Sequence, residues 1–362
     1  MKSDKRYFPP KKWEQHSGSF RSLFTFETLG YSVQGNPIEV IRIGQGSIKV
    51  LMWSQMHGNE SSTTRALVSL LEDFITPEAD SYFNQFQLAI LPQLNPDGAQ
   101  AYTRLNANNI DLNRDAQTLS QPESLILKEF CDSFQPDYAF NLHGQRTIFG
   151  AGIYGNPATL SFLAPAGDSQ KSITQPRIKA MHLIADIHQD IIRDLPKGIG
   201  RYEDTFNINC VGDSLTSLGI PTVLFESGHY PLDYDRDRTV EFTHQALRSA
   251  LHRIQNPIPR NDPAADYHQI PQNTKNWVDI LLDSVDVEVQ GELFPNQQLA
   301  LQYEEHLEGE SIVFNPIFHA FAKKVDLQAH QTLQLKSMAK APIFRVEDQK
   351  SLDYNILLMD YS

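Results

Sequence analysis

Apolar residues along this chain fall into two alternating periods. In NPIEVIRIG and SIKVLMWSQM they alternate or run together, which marks half-buried or fully buried strands. The stretch from Gly30 to Met56 thus reads as paired strands with Gly44 and Gly46 as the turn between them. Directly afterwards, in HGNESSTTRALVSLLEDF, Ala66, Leu67, Leu70, Leu71 and Phe74 recur at helical spacing, so HGNE lies on a strand-to-helix loop. The alternation continues. QFQLAILPQLNPDG reads as a strand ended by Pro96 and Gly98, Pro122 to Phe134 as a helix, and PDYAFNLHG as a strand that ends at His143. A long amphipathic helix follows Pro176, GIPTVLFESGH is a buried strand with Glu226 at its exit, and VEFTHQALRSALHRI is the helix behind it.

Strands alternating with helices predict an α/β fold whose sheet is covered on both faces. The polar residues of interest all fall where apolar strands end, which is where ligand sites form in open α/β sheets. Residues 1 to about 26 are polar and broken by Pro9 and Pro10, so they are expected to lie over the surface. The proline-rich stretch from Asn256 to Asp266 reads as a linker. Beyond it come short strand-like runs without a long helix. The domain reading is therefore 1–266 for the α/β part and 267–362 for a small β-rich domain.

Composition narrows the function classes. A formal charge of −13 over 362 residues argues against binding nucleic acid or an acidic membrane surface through counterion release. Two cysteines, Cys131 and Cys210, are too few for a disulfide framework and read as free thiols. The first twenty residues carry positive charge with no apolar stretch behind it, and no run approaches the ~18 apolar residues of a membrane span. The plain expectation is a cytoplasmic enzyme of unknown oligomeric state.

Four sets of residues could carry chemistry. His57 and Glu60, three apart on a tight loop, can offer one nitrogen and one carboxylate oxygen to a single ion; alternatively they pair as ordinary surface groups. His143 would complete three protein ligands, or is a hydrogen-bonded structural histidine. Glu226 is either a base that takes a proton from water or a salt-bridged carboxylate at the sheet edge. Asn113 and Arg114 could hold a carboxylate through the planar guanidinium fork, and Arg104 could stabilise an oxyanion. Otherwise these lie in an Asx-rich loop with Arg114 paired to Asp111 or Asp115.

Taken in order, HGNE, NPDG followed by R-L-N and D-L-N-R, NLHG and the FE after a strand resemble the zinc carboxypeptidase family, the M14 metallopeptidases. The likeness covers about residues 28 to 250. It implies an α/β/α sandwich around a mixed, mostly parallel sheet, and one Zn2+ per chain on His57, Glu60 and His143. It also implies Arg104 at the scissile carbonyl, Asn113 and Arg114 on the substrate's terminal carboxylate, and Glu226 as general base, then acid. Tyr202 is the candidate for a tyrosine that closes over substrate. A side-chain specificity residue falls within NCVGDSLTSLGIP, and His229 either reaches the site or is a surface histidine.

The substrate implied is a peptide with a free carboxylate, cleaved at the adjacent amide. The aspartoacylase and succinylglutamate desuccinylase group shares HGxE, a DLNR-like segment and a glutamate followed two residues later by glycine. It makes an N-acyl amino acid deacylase the alternative. A degenerate, inactive scaffold that binds carboxylates is the third reading.

Overall fold

The computed structural model describes residues 1–76, 83–334 and 343–346. Its centre is an eight-stranded mixed sheet. In chain order the strands are β2 (Thr25–Tyr31), β3 (Pro37–Ile43), β4 (Ile48–Trp53), β5 (Phe86–Leu91), β6 (Tyr138–Gly144), β8 (Leu160–Leu163), β9 (Ile199–Arg201) and β10 (Thr222–Ser227); the short strands β1 (Lys2–Ser3) and β7 (Phe149–Ala151) lie outside it. In space they run β2-β3-β5-β4-β6-β10-β8-β9, and β5, β4, β6 and β10 are mutually parallel.

The period of two along these strands builds two cores. Val50 and Met52 of β4 face one side with Phe140, Leu142, Val223 and Phe225. That side is covered by the helices α2 (Ser62–Asp73), α5 (Gln175–Ile191) and α7 (Asp237–Gln255). Leu51 and Trp53 face the other side, under α4 (Pro122–Phe134) and α6 (Val211–Ser217). Three layers result, the α/β/α sandwich expected of the chain. Among the described residues no helix is long and apolar enough to cross a membrane. Cys131 and Cys210 are free.

Three local expectations are corrected. NPIEVIRIG and SIKVLMWSQM do not pair with each other, because β5 lies between β3 and β4. Gly46 serves a close approach instead: a Cβ there would stand 1.9 Å from the Gln85 backbone carbon. NPDG does not merely end a strand. Pro96 opens a short helix, α3 (Pro96–Ala101), and the Asn95 side chain caps it by accepting from the Gly98 amide at 2.8 Å.

The third correction concerns the N-terminus. Pro10 begins a helix, α1 (Pro10–Ser17), and Tyr7, Phe8, Trp13 and Phe20 are buried. Their charged neighbours Lys11 and Glu14 stay outside, so average polarity hides four anchoring rings. The Ser61 hydroxyl donates to the Arg6 carbonyl at 2.6 Å, and Gln93 Nε2 to the Phe8 carbonyl at 2.8 Å. The segment is thereby clamped to the loop that carries HGNE.

A second sheet is built from β12 (Trp277–Val289), β13 (Glu292–Glu308), β14 (Ser311–Ala322), β15 (Gln328–Gln334) and β16 (Ile343–Val346). Its far edge is β1 (Lys2–Ser3), which pairs antiparallel with β14. β11 (Asn273–Lys275) ties this half to the first through β7 (Phe149–Ala151). The stretch read as a linker is also pinned down. Arg260 pairs with Asp186 of α5 at 2.8 Å, and Pro263 opens α8 (Pro263–Gln269), whose Tyr267 is buried in the first core.

Candidate active site

β4, β6 and β10 are adjacent and parallel, so their C-terminal ends open onto one spot. Beyond β4 the chain turns through His57 and Glu60 into α2. Gly58 permits that turn, since a Cβ on it would lie 1.9 Å from the Gly98 backbone. His143 is the penultimate residue of β6, and Glu226 is its direct partner on β10. Two apolar strands thus carry two polar residues side by side to the same edge.

His57, Glu60 and His143 form one cluster whose ligand atoms all lie within 4.8 Å of one another. His57 Nδ1 is 2.9 Å from Glu60 Oε1, His143 Nδ1 is 3.0 Å from Glu60 Oε2, and the two Nδ1 atoms are 3.0 Å apart. Two buried imidazoles and a half-buried carboxylate, converging, are the donor set that zinc takes at a three-ligand catalytic site. The residues present therefore fit the metal. Burial pushes Glu60 up, but the His57 charge and the bonds from His143 and His57 outweigh it and hold the carboxyl well below its usual range.

Asp111 supports the cluster. Its Oδ1 is 2.9 Å from His57 Nε2. A proton on Nε2, donated to Asp111, leaves the Nδ1 lone pair facing Glu60 and His143. Asp111 also accepts from Arg104 Nε at 3.1 Å and from the Asn113 amide at 2.9 Å, capping the 3-10 turn Leu112–Arg114. From the sequence alone Asp111 is only a possible partner of Arg114. The signal was there in D-L-N-R, two residues before the asparagine.

Arg104 Nη1 reaches Glu60 Oε1 at 3.4 Å, so it borders the cluster. Arg114 pairs with neither Asp111 nor Asp115. It donates to the Asn113 carbonyl at 2.7 Å and to Cys210 Sγ at 3.1 Å, and it meets no carboxylate among the described residues. The Asn113 side-chain oxygen accepts from Val211 N at 3.0 Å at the start of α6, which puts the NCVGDSLTSLGIP stretch beside Arg114. The Glu226 carboxylate likewise makes no ion pair among the described residues, against the salt-bridge alternative. Burial, then the nearby Glu60 charge, raises it well above the usual carboxylate range, with Arg104 opposing.

Tyr202 follows β9 and lies against Phe149, ring centroids 5.5 Å apart. Burial, then the charges of Glu226 and Glu60, push its phenol up, so it stays protonated. His229 is not a surface histidine. It is buried under the second sheet, its ring centroid 4.3 Å from that of His330 on β15.

Glu60, Arg104 and Tyr202 also line a cavity of about 740 Å³ that reaches across to Tyr303, Glu304 and Glu305 of β13. The second sheet thus roofs one side of the site.

Residues 11–182 match the zinc carboxypeptidase family, a span that holds HGNE, NPDG, DLNR and NLHG and stops short of Glu226. A probable carboxypeptidase 2 of Arthroderma benhamiae is 32% identical over 101 residues, 27% of this chain and 19% of that one. Carboxypeptidase M of Mus musculus is 28% identical over 175 residues, 40% of each. The chain spans less than half the length of these curated relatives. The metallo-carboxypeptidase structure from Burkholderia cenocepacia superimposes with a TM-score of 0.56 at 16% identity, covering 69% of this chain and 71% of that one, which establishes a shared fold.

Proposed function

Over residues 11–182 the chain belongs to the zinc carboxypeptidase family, and from that premise we propose that it is a metallocarboxypeptidase. It hydrolyses the amide bond next to a free carboxylate, with one zinc per chain. The observation that carries this reading is the convergence of His57, Glu60 and His143 with Glu226 on the adjacent strand.

A zinc ion bound there supplies Lewis-acid chemistry, polarising a carbonyl and acidifying water. Glu226, beside His143 and unpaired, takes the proton from the attacking water and returns it to the leaving amine. Its raised proton affinity suits a group that takes up a proton and gives it back. Arg104 donates to the developing oxyanion, and it is already oriented by Asp111. Asn113 and Arg114 hold the substrate's terminal carboxylate, since the Arg114 guanidinium forms no ion pair among the described residues. Tyr202, protonated and close to Glu226, donates to the bound substrate. His57, Glu60 and His143 keep their positions through Asp111 and the Gly144 amide, which donates to Glu60 Oε2 at 2.8 Å.

The test is Glu226→Gln in zinc-loaded protein, assayed on short peptides with free C-termini. Zinc content should stay at about one per chain while kcat falls roughly 10³-fold. Retained turnover would sink the assignment of Glu226.

A further inference from the structure

The 740 Å³ cavity lies beside the metal cluster, yet Asn113 and Arg114 are not part of its wall. If those two hold the terminal carboxylate, the cavity receives the other side of the scissile bond, the acyl side. Its volume suits a drug-sized or short peptide group. The wall carries five cationic side chains and three carboxylates, in a chain whose net charge is −13. That inversion of sign is local.

Two carboxylates in the wall are already engaged. Glu60 is held by the two histidines, and Glu305 accepts from Arg6 Nη2 at 2.8 Å and from the Tyr102 hydroxyl at 2.6 Å. Glu304 is left exposed. Among the cations, Arg6 answers Glu305 and Arg104 answers Asp111. The other three have no carboxylate partner among the described residues.

Arg236 is 3% exposed and donates only to backbone carbonyls, those of Ser227, Gly228 and Gln145. Its buried Nε has no partner. The exposed side chains of Arg146, three residues past His143, and Lys275, on β11, form no ion pair or hydrogen bond among the described residues. The Glu305 charge reaches Arg236, but Glu305 is already paired with Arg6, so one carboxylate serves two guanidiniums. Exposed Arg146 and Lys275 and buried Arg236 thus bring positive charge from three separate segments to one cavity, with no ion pair on any of them among the described residues.

We propose that this cavity binds a carboxylate on the acyl-side residue of the substrate, so that the enzyme prefers an acidic residue immediately before the scissile bond. The inference rests on the carboxypeptidase reading and specifies its substrate class. Arg146 and Lys275 supply specificity from the rim. Arg236 supplies a fixed positive field from the wall.

The experiment compares kcat/KM of zinc-loaded protein on paired peptides that differ only in Glu against Gln, or Asp against Asn, at that position. The acidic member should be favoured about tenfold, as expected for a charge contact in a partly desolvated cleft. The double variant Arg146→Gln/Lys275→Gln should bring the ratio down to about two, and added salt should erode it. Equal kcat/KM for both members, or a ratio unmoved in the double variant, overturns the proposal. If neither peptide is cleaved, the peptidase reading fails, and calorimetry of the same pairs on zinc-loaded Glu226→Gln still decides this one. Tighter binding of the acidic member supports it; equal affinity overturns it.

Discussion

The two walls of the site are assembled in different ways. On one, His57, His143 and Glu226 stand at the ends of parallel strands, and the register of β6 against β10 alone puts His143 beside Glu226. On the other, Arg6, Tyr303 and Glu305 come from the chain's first residues and from β13, about three hundred positions apart, and meet only because β1 completes the second sheet. The first wall is held by apolar strands buried on both faces. The second is held by a polar network, Arg6–Glu305–Tyr102, with Tyr7, Tyr102, Ile312 and Phe314 packed around it. The contrast teaches that chemistry placed at strand ends tolerates change in its scaffold, while a roof made of long-range polar contacts depends on each partner.

The largest effect should come from the first wall. His143→Ala removes one of three donors, and the two remaining on the HGNE loop should no longer retain zinc through dialysis. Elemental analysis should read near zero metal, with activity down about 10⁴-fold. Folding should survive, because the strands that present the cluster do not need it. A mutant that keeps one zinc per chain would separate His143 from the metal.

Breaking the second wall should do the reverse. Arg6→Met leaves Glu305 and Tyr102 without the guanidinium they bond to, while the Ser61 bond to the residue-6 carbonyl is kept. Removing one partner of such a buried pair costs about 3 kcal/mol, read as a lower urea midpoint, while zinc content holds. Unchanged stability would mean that the roof is not structural.

The two walls also differ in how far the sequence revealed them. β6, β10, α4 and the cluster were legible because each apolar run ends at a chemically distinctive residue, and periodicity places run ends well. The insertion of β5 between β3 and β4 was not, since strand order is a property of the whole sheet. Arg236 sits in a stretch of mixed charge, LDYDRDR, where nothing separates a buried guanidinium from exposed neighbours. His229 follows a strand and looks like a loop residue until β15 covers it. Residues 335–338, the end of the last strand-like run, lie outside the described residues.

Between the two walls stands Asp111, which orients both His57 and Arg104. Asp111→Asn keeps the shape but weakens the proton-accepting partner of His57 Nε2. Zinc affinity should fall about 10- to 100-fold, measured by competition with a chelator, and kcat should fall with it. An unchanged affinity would make Asp111 a loop-capping residue alone.

The smallest effect belongs to the roof and depends on pH. His330 gives its Nε2 proton to the Thr147 carbonyl at 2.9 Å, and burial lowers its pKa to about 4. Burial, with His330 beside it, also holds His229 well below the ordinary histidine value. Both rings are therefore neutral in the folded protein at pH 5, whereas in the unfolded chain they protonate near 6.5. Between those limits the unfolded state binds more protons, so stability must fall as pH drops from about 6.5 towards about 4. The loss attributable to His330 at pH 5 is about 1–2 kcal/mol relative to pH 7.5. It is read as the difference in urea midpoint between the two pH values, compared with His330→Gln, whose slope should be shallower. An equal slope in the variant would mean that His330 already shares a proton with His229 in the folded state, and the roof would then be held by a charged pair rather than by two neutral rings.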